Sequence, residues 1–322
     1  MTIGLNDYKT RQAELVDTHC HIHFPDYELD PEEVVKEAIK DGVTQLLCVG
    51  CTLTDSKLAV EFAARHENIW ASVGLHPHEG AVYVHDHAAL QQFRSLVENH
   101  AQLSRLDEAQ GGSEERREAY REYGEQVPEL ATQRFAKSTG RVGGSATKQA
   151  SATRKLVAIG ETGLDYHYMH SSKEDQEKLF RFQLSLAQEH DLPLIFHVRE
   201  AFDDFFKILD DHKGVRGVVH SFSAGKKELD EILARDLCIG VNGIVTFTKF
   251  AEQLEAVRAI PLDKLLLETD APFLTPVPFR GTICQPKYVR VTAEFLADLR
   301  GESLDQLAHA TTQNARALFN LE

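Results

Sequence analysis

The chain has 322 residues, 42% hydrophobic and 26% charged, the balance of a soluble globular protein long enough for one large barrel or two smaller domains. It has no run of about 18 apolar residues, which excludes a membrane span, and its first thirteen residues lack the apolar core of a secretory signal. Thirty-five basic residues against fifty acidic ones give a net charge of −15, which excludes gripping nucleic acid by bulk electrostatics alone.

Apolar periodicity picks out eight short β-rich runs: Glu14–Thr18, Val43–Val49, Ile69–Gly74, Leu156–Gly160, Leu194–His197, Val215–His220, Leu237–Val241 and Lys264–Glu268. Amphipathic helical patterns separate them. These cover Pro31–Lys40, Thr54–His66, Ala88–His100, Lys173–His190, Glu200–His212, Lys226–Arg235 and Lys249–Ile260, with Pro286–Leu299 and Ser303–Phe319 after the last strand. Strands alternating with helices imply parallel pairing, and eight such units predict an α/β fold, the (β/α)₈ TIM barrel. No glycine-rich phosphate fingerprint follows the first strand, which argues against the doubly wound sheet. The whole chain, 1–322, is expected to form one barrel domain, interrupted at about 103–155. That segment opens on the charged run SEERREAYREYGEQ and continues as the polar KSTGRVGGSATKQASATRK, a composition that predicts a mobile insertion. It joins the third helix to the fourth strand and so falls on the N-terminal face, away from barrel chemistry. A tolerated surface loop or a partner-docking arm would both fit there.

Chemistry-bearing residues recur at strand ends. His19 and His21 in DTHCHIH share one side of the first strand, since side chains alternate with period two. Glu161 ends the fourth strand, His197 the fifth, His220 the sixth and Asp270 the eighth. Each follows an apolar run that buries it, and buried imidazoles and carboxylates need one another or a metal. A lone HxH pair could be two satisfied core histidines. Four imidazoles and two carboxylates converging on one rim point instead to a dinuclear divalent-cation site, taking Mg²⁺, Mn²⁺ or Zn²⁺.

The motifs DTHCH, GLHPH, AIGETGLDY, HVR, HSFS, ETDAP and PVPFRG together resemble the TatD family of metal-dependent deoxyribonucleases, within the amidohydrolase-like barrels. The resemblance runs from about Glu14 to Phe319, outside the insertion. It implies that His19, His21, Glu161 and Asp270 hold one cation and Glu161, His197 and His220 the other, with Glu161 bridging. A glutamate on the fourth strand, where amide-hydrolysing relatives commonly carry a carbamylated lysine, favours this branch. The implied activity is 3′-to-5′ hydrolysis of DNA phosphodiesters at single-stranded ends by an activated water. Asp270 and Glu161 are then catalytic as well as ligating, with Asp270 taking the water's proton. His76 either hydrogen-bonds the phosphate, protonates the leaving oxygen, or caps its own loop. Arg199 and Arg280 are the candidate substrate clamps, supplying local cations on an acidic protein.

Other residues carry blander expectations. His23 is expected beside the site rather than in it, and Ser221 stands where the family usually has cysteine. Thr282, Ile283 and Cys284 replace a usual basic run, which weakens any DNA-binding lip. Cys48 and Cys51 read as buried small apolar residues, because no second pair completes a zinc motif. His167 and His170 read as exposed loop residues, and His85, His87, His100, His190, His212 and His309 as solvated or capping. Five cysteines, odd and sparse, suggest a reducing cytoplasmic setting. No stable protein partner is suggested. The competing readings are an amide or ester hydrolase, including one acting on aminoacyl esters, and a non-catalytic scaffold stabilised by metal.

Overall fold

A computed structural model describes residues 13–109 and 155–321. Eight strands form one parallel sheet in the order of the chain: β1 (Leu15–Cys20), β2 (Val43–Val49), β3 (Ile69–Val73), β4 (Leu156–Asp165), β5 (Leu194–Arg199), β6 (Gly217–Val219), β7 (Cys238–Val241) and β8 (Leu265–Leu267). The last strand returns to the first. Asp270 N donates to His19 O at 2.8 Å, His21 N donates to Ala271 O at 2.6 Å, and Cys20 bridges Ala271 in parallel. This is the (β/α)₈ barrel that the alternation predicts.

Two apolar layers hold it. Val16, Leu47, Val49, Trp70, Val157, Ile195, Val218 and Leu266 fill one cluster, and Phe319 and Leu321 at the chain's end pack against them. Leu15, Leu46, Ile69, Ile159, Leu194 and Phe196 belong to the second cluster, between the strands and the helices around them. Along β1 the side-chain alternation is interrupted. Val16 belongs to the first cluster and Cys20 to the second, which have the same parity, and a register irregularity lies between Asp17 and Cys20. That shift lets His19 and His21 face the mouth after Val16 has faced the interior.

Helices fall where expected, with ends displaced by a few residues: α1 (Pro31–Lys40), α2 (Leu53–Ala64), α3 (Gly80–Tyr83), α4 (His87–Ala109), α5 (Lys173–His190), α6 (Phe202–Asp211), α7 (Lys226–Ala234), α8 (Ala251–Arg258), α9 (Val289–Arg300) and α10 (Leu304–Phe319). Ser172 and Ser303 cap α5 and α10 by accepting from Asp175 N and Gln306 N. Three expectations change. The short helix α3 is additional; its four residues are too few to show a period. α4 continues through 103–109, so the first part of the supposed insertion is helix; residues 110–154 lie outside the described residues. β4 is ten residues long rather than five, because the glycine-bearing GETGLD extends it along β5. Just before it, Lys155 anchors the re-entry by donating to the carbonyls of Glu67 and Ile69 at 3.0 Å each and stacking over Trp70.

Phe205 on α6 is fully buried, stacked on Phe180 of α5 at 5.7 Å and edge-on to Phe196 of β5 at 5.2 Å. Replacing it with alanine empties the contact between two helices and the strand that carries His197. Phe205→Ala is expected to cost about 3–5 kcal/mol, read as a lowered urea midpoint at unchanged slope.

Candidate metal centre

The six side chains singled out at strand ends meet at the C-terminal mouth around Glu161. Its two carboxylate oxygens face different partners. Oε2 lies 3.5 Å from His19 Nε2 and 3.9 Å from His21 Nε2. The same two nitrogens lie 3.6 and 3.4 Å from Asp270 Oδ1. Oε1 lies 2.7 Å from His197 Nδ1, 3.1 Å from His220 Nε2 and 3.6 Å from His76 Nε2. One carboxylate therefore stands between two imidazole groups, divided as the resemblance implies. Glu161 reaches this position because Gly160 adopts φ +149°, and a Cβ there would fall 2.7 Å from Ile195 Cβ.

Polar contacts on the far side of each ring decide which nitrogen faces the centre. His21 Nδ1 sits 2.7 Å from Val49 O, which can only accept, so its Nε2 presents a lone pair to the centre. His197 Nε2 lies 3.0 Å from Asp165 Oδ2, leaving Nδ1 toward Glu161. His220 Nδ1 lies 3.3 Å from Glu268 Oε1, leaving Nε2. Carboxylates behind imidazoles are the arrangement that orients metal-binding histidines. His76 is turned the other way. Its Nδ1 accepts from His78 N at 3.2 Å, capping a short 3₁₀ turn, so the ring proton is on Nε2 and points to Glu161. The loop-capping and substrate-facing roles of His76 are thus compatible.

Burial alone would raise the Glu161 carboxyl, but His220, His76, His19 and His197 around it hold it well below the usual carboxylate range. Asp270 is likewise held low by His21, His19 and His220 against its burial. Burial and the neighbouring His220 push His19 down, while carboxylate partners outweigh burial and raise His197 and His220. Burial pushes His76 down to about 4, so it is neutral at pH 7.

This set fits divalent cations. His19 is fully buried, and its Nδ1 has no hydrogen-bond partner among the described residues, while its Nε2 lies 3.1 Å from the free Nε2 of His21. Two imidazole nitrogens held so close with carboxylates beside them are satisfied by a shared positive charge. Among the described residues three groups bring ligand atoms within 4.8 Å of one another: His19, His21 and Glu161; His76, Glu161 and His197; His19, His220 and Glu268. In the second group the proton on His76 Nε2 makes it a donor, and His220, directly after β6, is the imidazole nearer to Glu161 Oε1.

Two residues of the site escape the sequence reading. Asp165, in GLDY, accepts from both His197 and His78, the latter at 3.2 Å. Glu268, in ETDAP, is 1% exposed and also accepts from Ser221 N at 2.5 Å; a Cβ on Gly240 would come within 2.3 Å of its Oε2. Glu268 follows an apolar run, the signal that singles out Glu161 and Asp270, whereas Asp165 comes after the polar GETG and carries no such mark. Cys51 is half-buried rather than buried: its thiol lies 3.6 Å from Glu161 Oε2, and desolvation with the nearby Glu161 and Asp55 raises it, so it stays protonated. Cys48 is buried as expected. His100 is buried rather than solvated, and burial lowers it to about 4. His23 contacts Asp55 at 2.9 Å beside the centre. His167 and His170 are exposed. Arg199 and Arg280 lie on the rim. The Arg199 guanidinium covers the Tyr168 ring at 4.6 Å, while Arg280 covers Phe247 at 4.0 Å and donates to Thr275 O at 2.8 Å.

A closed barrel with this histidine–carboxylate cluster at its mouth defines a metal-dependent hydrolase. Residues 16–320 match the model of the TatD related DNase family, and the chain belongs to that family. It is 31% identical over 309 residues to the metal-dependent hydrolase YabD of Bacillus subtilis, covering 95% of this chain and 99% of that one. It is also 31% identical over 300 residues to the 3′-5′ ssDNA/RNA exonuclease TatD of Erwinia amylovora, covering 91% and 94%. Among solved structures, the TatD homologue YjjV of Escherichia coli superposes with a TM-score of 0.72 at 26% identity, over 96% and 99% of the two chains. No helix among the described residues is long and apolar enough to cross a membrane.

Because His197 and His220 are raised, loading a cation must displace protons from them, and affinity should climb as pH rises through their titration. Calorimetry with Mn²⁺ at pH 6 and pH 8 should show weaker binding at the lower pH and a buffer-dependent proton release. Glu268→Gln should weaken Mn²⁺ binding by about 10- to 100-fold with little change in unfolding midpoint.

Proposed function

We propose that this chain hydrolyses phosphodiester bonds at the 3′ ends of single-stranded nucleic acid with two divalent cations held by His19, His21, Glu161, His197, His220 and Asp270. The division of Glu161 between two imidazole groups carries this reading: a carboxylate with one oxygen toward each group suits a pair of ions better than one. Family membership and the printed activity of the Erwinia amylovora relative support the substrate class.

Cations bound there would acidify the attacking water and neutralise phosphate charge. The chain's own groups supply the rest. Asp270, ionised and 15% exposed, takes the proton from the water as it attacks. His76 is neutral and keeps its proton on Nε2, so it donates a hydrogen bond to a phosphate oxygen rather than protonating the leaving group. Arg199 offers a rim cation to the strand's backbone, whereas Arg280, engaged with Thr275 and Phe247, serves chiefly to shape its loop. A net charge of −15 over the whole chain disfavours tracking along duplex, which agrees with action at ends.

End-labelled single-stranded DNA incubated with Mg²⁺ or Mn²⁺ should release nucleotides from the 3′ end, with no release in EDTA or by Glu161→Ala. Absence of release by the wild type under every metal would contradict the proposal. His76→Ala should lower kcat about 100-fold while leaving metal stoichiometry intact.

A further inference from the structure

Two half-exposed aromatic side chains stand at the mouth, each tied by backbone to a carboxylate residue of the centre. Tyr168, 52% exposed, follows β4; its N–H donates to Asp165 Oδ1 at 2.9 Å, and the other oxygen of that carboxylate holds His197. Phe273, 54% exposed, follows β8; its N–H donates to Asp270 O at 2.8 Å, and its ring centroid lies 6.5 Å from that of His21. β4 and β8 are four strands apart in a ring of eight, so the two rings flank the centre from opposite sides. A staircase of rings leads outward on one side, from His197 to His76 at 4.6 Å, to His78 at 4.3 Å, and on to Tyr168 at 5.7 Å. What sets these two apart from the other exposed apolar side chains is that backbone hydrogen bonds fix them in register with the reacting position.

We propose that Tyr168 and Phe273 are stacking platforms for the two nucleobases on either side of the scissile phosphate. This rests on the nucleic-acid reading above and sharpens it. Bases drawn apart toward opposite walls cannot stay paired, so the ligand is an unpaired strand end of at least two nucleotides, not a generic phosphodiester. The charge pattern suits the occupant. Arg199 lies over Tyr168 at 4.6 Å and His170 stacks on it at 5.8 Å, so an incoming base extends a stack already begun beside a cation for the backbone. Stacking tolerates every base, so these rings would hold a strand end whatever its sequence.

The test pairs substitutions with abasic strands. Tyr168→Leu and Phe273→Leu are each expected to lower kcat/KM on single-stranded DNA about tenfold. Replacing the 3′-terminal or penultimate nucleotide with an abasic analogue should cost the wild type a similar factor. Each substitution should be non-additive with base removal at one of these positions and additive at the other. Phe250→Leu, at a 74% exposed ring without a hydrogen bond or ring contact to the centre among the described residues, serves as the control and should show no coupling. A 2-aminopurine at the coupled position should lose fluorescence on binding Asp270→Asn protein and keep it when Tyr168→Leu or Phe273→Leu is added. Cleavage by the wild type with fully additive effects, or equal losses for Phe250→Leu, would overturn the stacking assignment while leaving the nuclease reading intact. No cleavage of any strand, with no quenching, would remove both.

Discussion

A carboxylate buried among imidazoles is unfavourable unless its charge is matched, and Glu161 is matched from both sides. Its oxygens separate His19 and His21 from His197 and His220, and those rings hold its proton off. The local backbone serves this placement. Gly160 takes a conformation and a closeness to Ile195 that a side chain would forbid, and Glu161 N donates to Gly50 O at 2.8 Å, fixing β4 against the end of β2. Move Glu161, and the two histidine groups lose the charge they share.

Around this centre a second tier of acids keeps the rings from turning. Asp165 stands behind His197, Glu268 behind His220, and the Val49 carbonyl behind His21. Asp17 works further back. Burial pushes its carboxyl up, and it accepts from Thr269 N at 2.9 Å and Thr269 Oγ1 at 2.6 Å where β1 meets β8. The seam that closes the barrel is therefore also what sets His19 against Asp270. Fold closure and site geometry are one problem here, because the strand that begins the barrel and the strand that ends it each supply part of the centre.

Much of this is legible in the chain. Short apolar runs alternating with amphipathic ones give the strand order directly, since each parallel pair needs a helical crossover. The strand-end residues are legible too, because ionisable groups directly after an apolar run must be buried. Register is less so. The irregularity in β1 that lets Val16 and His19 share an inward direction has no compositional mark. The extension of β4 past Gly160 follows from close backbone approach to β5, which only the folded chain reveals. Asp165 and Glu268 sit in motifs as conspicuous as those of the ligands, yet their role depends on which ring nitrogen they reach. Cys51 is illegible for the same reason: its thiol lies beside Glu161 because β2 ends level with the middle of β4, a matter of tertiary alignment.

The central claim is that Glu161 lies between two cations. Anomalous diffraction from crystals soaked in Mn²⁺ measures this directly. Two peaks are expected, one shared by Glu161 with His19, His21 and Asp270, the other by Glu161 with His197 and His220. A single peak, or one confined to the group of His19, His220 and Glu268, would contradict it.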